Sequence, residues 1–210
     1  MYANPIAGAI LAAILGPRPQ LRYLHGNTAL KGVGRQEVHS DLNFDSPNYP
    51  FAVAANIMLV DATIENGTTE VWLGTARETG IHDRRDPEAG SIKEEALEAR
   101  RKVRPPVQAP IPKGSIVLRD LRLWHAGVAN GTDEPRMMLA LVHFASWYGN
   151  QLTLKMPEST KKHVDEWNKA GPAEICAEYI PDAEYDHLGL RFDANFSPTG
   201  GHPGAFVYGG

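Results

Sequence analysis

Residues 50–62 (PFAVAANIMLVDA) constrain this chain more than any other segment. Apolar residues follow one another there with little alternation, which is the pattern of a strand buried on both faces at the centre of a sheet. The rest of the fold must be built around that strand. Several shorter extended pieces are available: residues 21–25, 38–44, 68–73, 115–124 and 136–147. Turn residues separate them, among them Glu65-Asn66-Gly67 and Lys113-Gly114. Short strands punctuated in this way predict a mainly β antiparallel sandwich or barrel of the jelly-roll kind.

Helices are few. Residues 6–15 (IAGAILAAIL) are too short to cross a bilayer, which takes about 20 residues, and no Lys or Arg precedes them as in a secretory leader. Gly16-Pro17 stops the run, so it reads as a helix packed on the body of the protein. Ser91-Ile92-Lys93-Glu94 has the form of a capping box and opens a polar surface helix over about 91–103, inserted between strands and ended by Pro105-Pro106. Its charges, including Arg100 and Arg101, read as a solvated face. Short helices are expected near 164–170 and 172–179, and an irregular tail over about 187–210. No repeat or linker interrupts the 210 residues, so a single domain over 1–210 is expected.

Composition narrows the partners. Net charge is −4, and Lys and Arg lie among Asp and Glu rather than in a basic stripe, which argues against nucleic acid. One cysteine, Cys176, excludes an internal disulfide and a Cys-based zinc site. The expected setting is cytoplasmic, away from any membrane, with a small-molecule substrate.

The chemistry is carried by two elements. In His39-Ser40-Asp41, strand alternation sends an imidazole and a carboxylate to one face, where they can occupy adjacent positions on a metal. In the second, Trp124-His125 closes an apolar strand, Asn130-Gly131 is a hairpin-turn dipeptide, and Arg136 opens the next strand. A turn centred on Asn130-Gly131 places His125 directly opposite Arg136, with Cβ atoms roughly 4.5–5.5 Å apart. Two histidines and a carboxylate on one face of Fe(II) leave three positions open. 2-Oxoglutarate can fill two and dioxygen the third, while Arg offers a planar fork for the far carboxylate.

The ordered blocks Gln36-Glu37-Val38-His39-Ser40-Asp41, Glu65 to Thr75 (ENGTTEVWLGT), Lys113 to Leu118 (KGSIVL), Leu123-Trp124-His125-Ala126-Gly127 and Pro135-Arg136 resemble the phytanoyl-CoA dioxygenase family, especially its fungal members of secondary metabolism. The resemblance covers roughly residues 1–148. It implies a double-stranded β-helix (cupin-like) with flanking helices, His39, Asp41 and His125 as catalytic metal ligands, and Arg136 as the 2-oxoglutarate anchor. It adds Gln36 and Thr69 as polar contacts to the cosubstrate. Gln36, three residues before His39, must then lie ahead of the strand or at a bulge. Trp72 fits a pocket wall or the core equally well. The implied reaction oxidises an unactivated C–H bond of a small apolar metabolite with Fe(II), 2-oxoglutarate and dioxygen.

Two other readings stay open. The chain starts with the fold already under way relative to the family, which motivates a non-catalytic subunit that pairs with a longer homologous oxygenase; a homodimer is the alternative assembly. A cupin-like isomerase or sugar-binding protein would use the same barrel without 2-oxoglutarate. His25, His82, His143, His163, His187 and His202 are assigned no role.

Overall fold

The structure is a computed structural model that describes residues 4–85, 90–188, 193–198 and 206–207. Helix α1 (Pro5–Leu15) precedes β1 (Gln20–Ala29) and β2 (Ala52–Met58). Then come β3 (Glu70–Val71), α2 (Thr75–Glu78), α3 (Glu94–Val103), β4 (Ile116–Asp120), β5 (His125–Ala126) and β6 (Arg136–Phe144). The last elements are β7 (Leu154–Pro157), α4 (Lys161–Ala170), β8 (Glu174–Ile175), β9 (Ala177–Ile180), β10 (Asp193–Ala194) and β11 (Phe206–Val207). One five-stranded sheet has the order β4-β2-β6-β1-β8, and β3-β5, β7-β9 and β10-β11 form two-stranded sheets. Every residue of β2 is buried, as its unbroken apolar pattern requires. The chain divides into two compact units: Met1–Leu24 with Pro50–Val53 and Leu141–Gly210, and His25–Tyr49 with Ala54–Ala140.

The first unit has an aromatic core. Phe51 stacks on Tyr148 with centroids 4.2 Å apart, and Tyr23 meets Phe196 edge-on at 5.4 Å. Asn4 caps α1 by accepting from the Ala7 amide at 2.9 Å. The helix turns Gly8, Leu11 and Leu15 inward. A Cβ at position 8 would lie 2.3 Å from Pro172 Cγ, so only glycine lets the helix seat there. The helix expected over 172–179 does not form. Glu174 and Ile175 instead extend the sheet beside Gln20 and Leu21, and residues 177–180 pair in parallel with 154–157. Side-chain bonds from Asn168 to both the amide and the carbonyl of Ile175 hold that extended course, so tertiary pairing overrides local helix propensity. Of the irregular tail, β10 pairs antiparallel with β11; residues 189–192, 199–205 and 208–210 lie outside the described residues.

His143 in β6 is 3% exposed, and burial lowers its pKa from 6.5 to about 4. Between those values the unfolded chain binds a proton that the folded chain does not. Stability therefore falls as pH drops from about 6.5 and levels off below about 4, by roughly 3 kcal/mol in total. Urea unfolding across that window is expected to show the loss, and His143→Gln to make it smaller by about that amount.

The second unit holds an antiparallel ribbon of very short pairings alongside its share of the large sheet. Arg84 bridges Ile92, Ser91 bridges His39, His39 bridges His125, Val71 pairs with His125, and Val71 bridges Val107. The strand expected over 38–44 is thus reduced to one residue, His39, which bridges Ser91 on one side and His125 on the other. Alternation gives this ribbon two faces. One carries Val38, Trp72, Ile92, Trp124 and Ala126, which cluster with Leu97 of α3. The other carries His39, Val71 and His125.

Helix α3 is therefore the cover on the back of the ribbon. It starts at Glu94, with Lys93 in the cap position and no side-chain cap bond, because Ser91 is used in the bridge to His39 instead. Its basic residues are not simply solvated. Arg100 reaches the Leu73 carbonyl and Glu78, and the Arg101 guanidinium sits 5.3 Å over the Trp72 ring. Trp72 is fully buried and donates to Glu70 Oε1 at 2.9 Å, so it is core rather than pocket wall. Leu97→Ala would open a cavity in this cluster, and chemical denaturation is expected to show a loss of about 2–4 kcal/mol.

Candidate metal centre

His39 and His125 are cross-strand partners. The His39 amide donates to the His125 carbonyl at 3.0 Å, and the His125 amide returns the bond at 2.9 Å. Their rings lie side by side with centroids 4.4 Å apart. Each ring bonds through Nδ1 to the carbonyl two residues earlier, His39 to Glu37 at 2.8 Å and His125 to Leu123 at 3.0 Å. A carbonyl can only accept, so both Nδ1 atoms carry the proton and both Nε2 lone pairs are left for a metal.

Asp41 completes the set. Its Oδ1 lies 3.4 Å from His125 Nε2 and 3.9 Å from His39 Nε2, and the three ligand atoms fall within 4.8 Å of one another. Metal bonds of about 2.0–2.2 Å at right angles would bring such atoms to roughly 3 Å. The donor set and its spacing fit a divalent transition-metal ion after small side-chain movements. Protonation agrees. Burial would raise the Asp41 carboxyl, but the Arg119 guanidinium and the two imidazoles hold it well below the usual carboxylate range. Burial, aided by Arg119, pushes His125 down to about 4, so this imidazole is neutral at physiological pH. Both are the forms in which these groups ligate metals.

Arg136 is not where a hairpin would put it. No β5–β6 pair forms: β5 lies on β3 and the His39 bridge, whereas β6 lies between β2 and β1 in the large sheet. Asn130 does not sit in a two-residue turn. Its side-chain amide donates to the Ala29 and Glu134 carbonyls, and its Oδ1 accepts from Thr132. These bonds carry the chain from the ribbon to the sheet, so His125 faces His39 and Val71 instead of Arg136.

Arg136 nonetheless enters the same unit's cleft. A cavity of about 360 Å³ is lined by Asn27, Thr28, Arg35, Gln36, Gly127 and Arg136, among others. Arg136 is 3% exposed, donates from Nη2 to Asn27 Oδ1 at 3.4 Å, and buries Nε without a hydrogen-bond partner. Burial lowers its pKa with no anion opposing the shift. A buried guanidinium without a carboxylate is costly, and an anionic ligand would relieve that cost.

Gln36 lies ahead of the His39 bridge, as its spacing demanded. Its Oε1 accepts from the Gly127 amide at 2.8 Å, and its own amide donates to the Gly127 carbonyl at 2.9 Å. A Cβ on residue 127 would come 2.6 Å from Gln36 Oε1, so a larger residue there would push the Gln36 side chain out of this bond. Thr69 does not line the cleft, though its position two residues before Val71 continues the metal-facing side of the ribbon.

Sequence reasoning passed over three neighbours of this site. Arg119 in β4 is 8% exposed and donates from Nη2 to Asp41 Oδ2 at 2.6 Å. Asn27 meets Arg136, and His25, on the same face of β1 as Asn27, feels the charges of Asp41 and Arg119. The one signal in the sequence is that Arg119 shares its strand face with apolar Val117, which packs on Met58 and Met138.

The phytanoyl-CoA dioxygenase (PhyH) family model matches residues 3–138. Among solved structures, EctD from S. alaskensis with bound Fe is 21% identical, with a TM-score of 0.61 over 85% of this chain and 62% of that one. The epimerase SnoN, in a complex with Fe3+, alpha ketoglutarate and nogalamycin RO, is 21% identical, with a TM-score of 0.56 over 69% and 57%. The non-heme monooxygenase ThoJ in its apo form is 21% identical, with a TM-score of 0.52 over 67% and 52%. This chain therefore spans about half to three-fifths of the length of these structures. They share its strand-rich, cupin-like fold, as the double-stranded β-helix expectation required. With the matched segment covering well over half of the sequence and carrying the His39, Asp41 and His125 cluster, the chain belongs to the phytanoyl-CoA dioxygenase family.

Proposed function

We propose that this protein is a non-haem Fe(II)- and 2-oxoglutarate-dependent dioxygenase that oxidises an unactivated C–H bond of a small apolar metabolite, in secondary metabolism. The observation that carries the reading is the pairing of two features in one unit: a His–Asp–His cluster with its lone pairs converging, and a buried arginine that pairs with no anion among the described residues. His39, Asp41 and His125 would hold Fe(II). When bound, the metal would couple dioxygen activation to the oxidative decarboxylation of 2-oxoglutarate to succinate and carbon dioxide.

The protein's own residues do the rest. The Glu37 and Leu123 carbonyls keep the two imidazoles in the metal-binding tautomer and orientation. Arg136 would take the far carboxylate of the cosubstrate in a two-pronged bond, and Asn27 Oδ1 accepts from its Nη2 at 3.4 Å. Gln36, fixed by Gly127, and Thr69 would supply polar contacts to the same molecule. The cleft has the volume of a small-molecule site, consistent with a small substrate. No helix among the described residues is long and apolar enough to cross a membrane, and a cytoplasmic setting is part of the proposal.

Succinate release provides the test. The chain alone, with Fe(II), ascorbate and 2-oxoglutarate, is expected to form succinate in a metal-dependent way even without its substrate, at a slow uncoupled rate. No succinate above the metal-free background, with the protein folded and the metal bound, would overturn the catalytic reading.

A further inference from the structure

The two oxygens of Asp41 are used differently. Oδ1 belongs to the ligand cluster, 3.4 Å from His125 Nε2 and 3.9 Å from His39 Nε2. Oδ2 is turned away from it and accepts from Arg119 Nη2 at 2.6 Å, a short charge-assisted bond between side chains that are each 9% exposed. Arg119 is held on the rigid strand β4, so the carboxylate cannot rotate without breaking a buried ion pair. The guanidinium also reaches the second ligand. Nη1 lies 3.3 Å from His125 Nδ1, the nitrogen that also meets the Leu123 carbonyl at 3.0 Å.

We propose that Arg119 is a positioning residue that restricts Asp41 to one metal-ligating oxygen, and so keeps three positions open on a bound metal. This rests on the reading of the cluster as a metal site. A carboxylate with both oxygens free can chelate an ion through both. In an octahedral site, chelation by Asp41 would consume a fourth position, leaving two where a bidentate cosubstrate and dioxygen together need three. With Oδ2 tied to a guanidinium, only Oδ1 is available. The same bond offsets the Asp41 charge, so the three ligands with Arg119 carry no net charge when both imidazoles are neutral. A bare cation then gains little from charge alone, and the geometry of the three ligand atoms decides binding.

Counting metal-bound waters tests this without any turnover. Mn(II) alone is added to the purified chain, and its coordinated waters are counted by pulsed electron–nuclear resonance in isotopically labelled water. Three waters are expected in the wild type and in Arg119→Lys, which keeps a cation within reach of Oδ2. Two are expected in Arg119→Met, where no guanidinium occupies Oδ2. Three waters in Arg119→Met would overturn the proposal while leaving the metal site standing. Two waters in the wild type would overturn it whether or not the methionine variant folds. Mn(II) binding that His39→Ala leaves untouched would overturn the metal-site reading and this proposal with it.

Discussion

Replacing Arg136 with leucine is expected to abolish 2-oxoglutarate binding while leaving the ligand-free protein at least as stable as the wild type. The two halves of this result have one cause. Arg136 is buried with Nε unpartnered, a long bond to Asn27 and no carboxylate among the described residues to balance it, so the folded protein bears its desolvation cost. An apolar side chain removes that cost, and a gain of about 1 kcal/mol in unfolding free energy is the expected order. The ligand loses a buried charge-assisted pair, which weakens binding by roughly 2–5 kcal/mol, about 30-fold to several thousand-fold. Thermal melts with and without 2-oxoglutarate read both effects: the variant's midpoint should hold or rise, and the ligand-induced upshift should vanish. An earlier melt with the upshift intact would make Arg136 a structural residue and remove the anchor from the account.

The second large effect concerns Asp41. Asp41→Ala is expected to remove metal binding and also to cost about 3–5 kcal/mol of stability, because it leaves the Arg119 guanidinium buried without its anion. His39→Ala should also remove metal binding, but with a much smaller stability loss, since the His39 ring has no buried ion partner of this kind to strand. Adding Arg119→Leu to Asp41→Ala should restore most of the lost stability and none of the metal affinity. Denaturant unfolding of the single and double variants, analysed as a cycle, checks the coupling. Additive losses would mean that the 2.6 Å ion pair does not act as a unit.

The chain's sequence exposes some of this site and conceals the rest for physical reasons. His39 and Asp41 are legible because a local rule places them together: residues two apart share a face wherever the backbone is extended, even though only a bridge forms there. The central strand is equally plain, since a continuous apolar run admits few other fates. Arg136 does not lie opposite His125, where the turn composition puts it. Asn130-Gly131 has the composition of a tight turn, yet the bonds that decide its course run to Ala29 and Glu134, one of them 101 positions away. Local turn chemistry holds no information about that partner. Arg119 is hard to read for a similar reason: its significance comes from Asp41, 78 positions away, and its place on the Val117 face of β4 does not name that partner. The basic residues of α3 looked like a solvated face because the cover they provide for Trp72 is visible only once the ribbon is assembled.

Anaerobic addition of Fe(II) and then 2-oxoglutarate to the wild-type protein and to His39→Ala, followed by visible absorption, shows whether the three side chains hold an iron open to the cosubstrate. A weak charge-transfer band that saturates with 2-oxoglutarate is expected in the wild type, and none in the variant. A folded wild-type protein that gives no band, or a variant that gives the same one, would contradict that expectation.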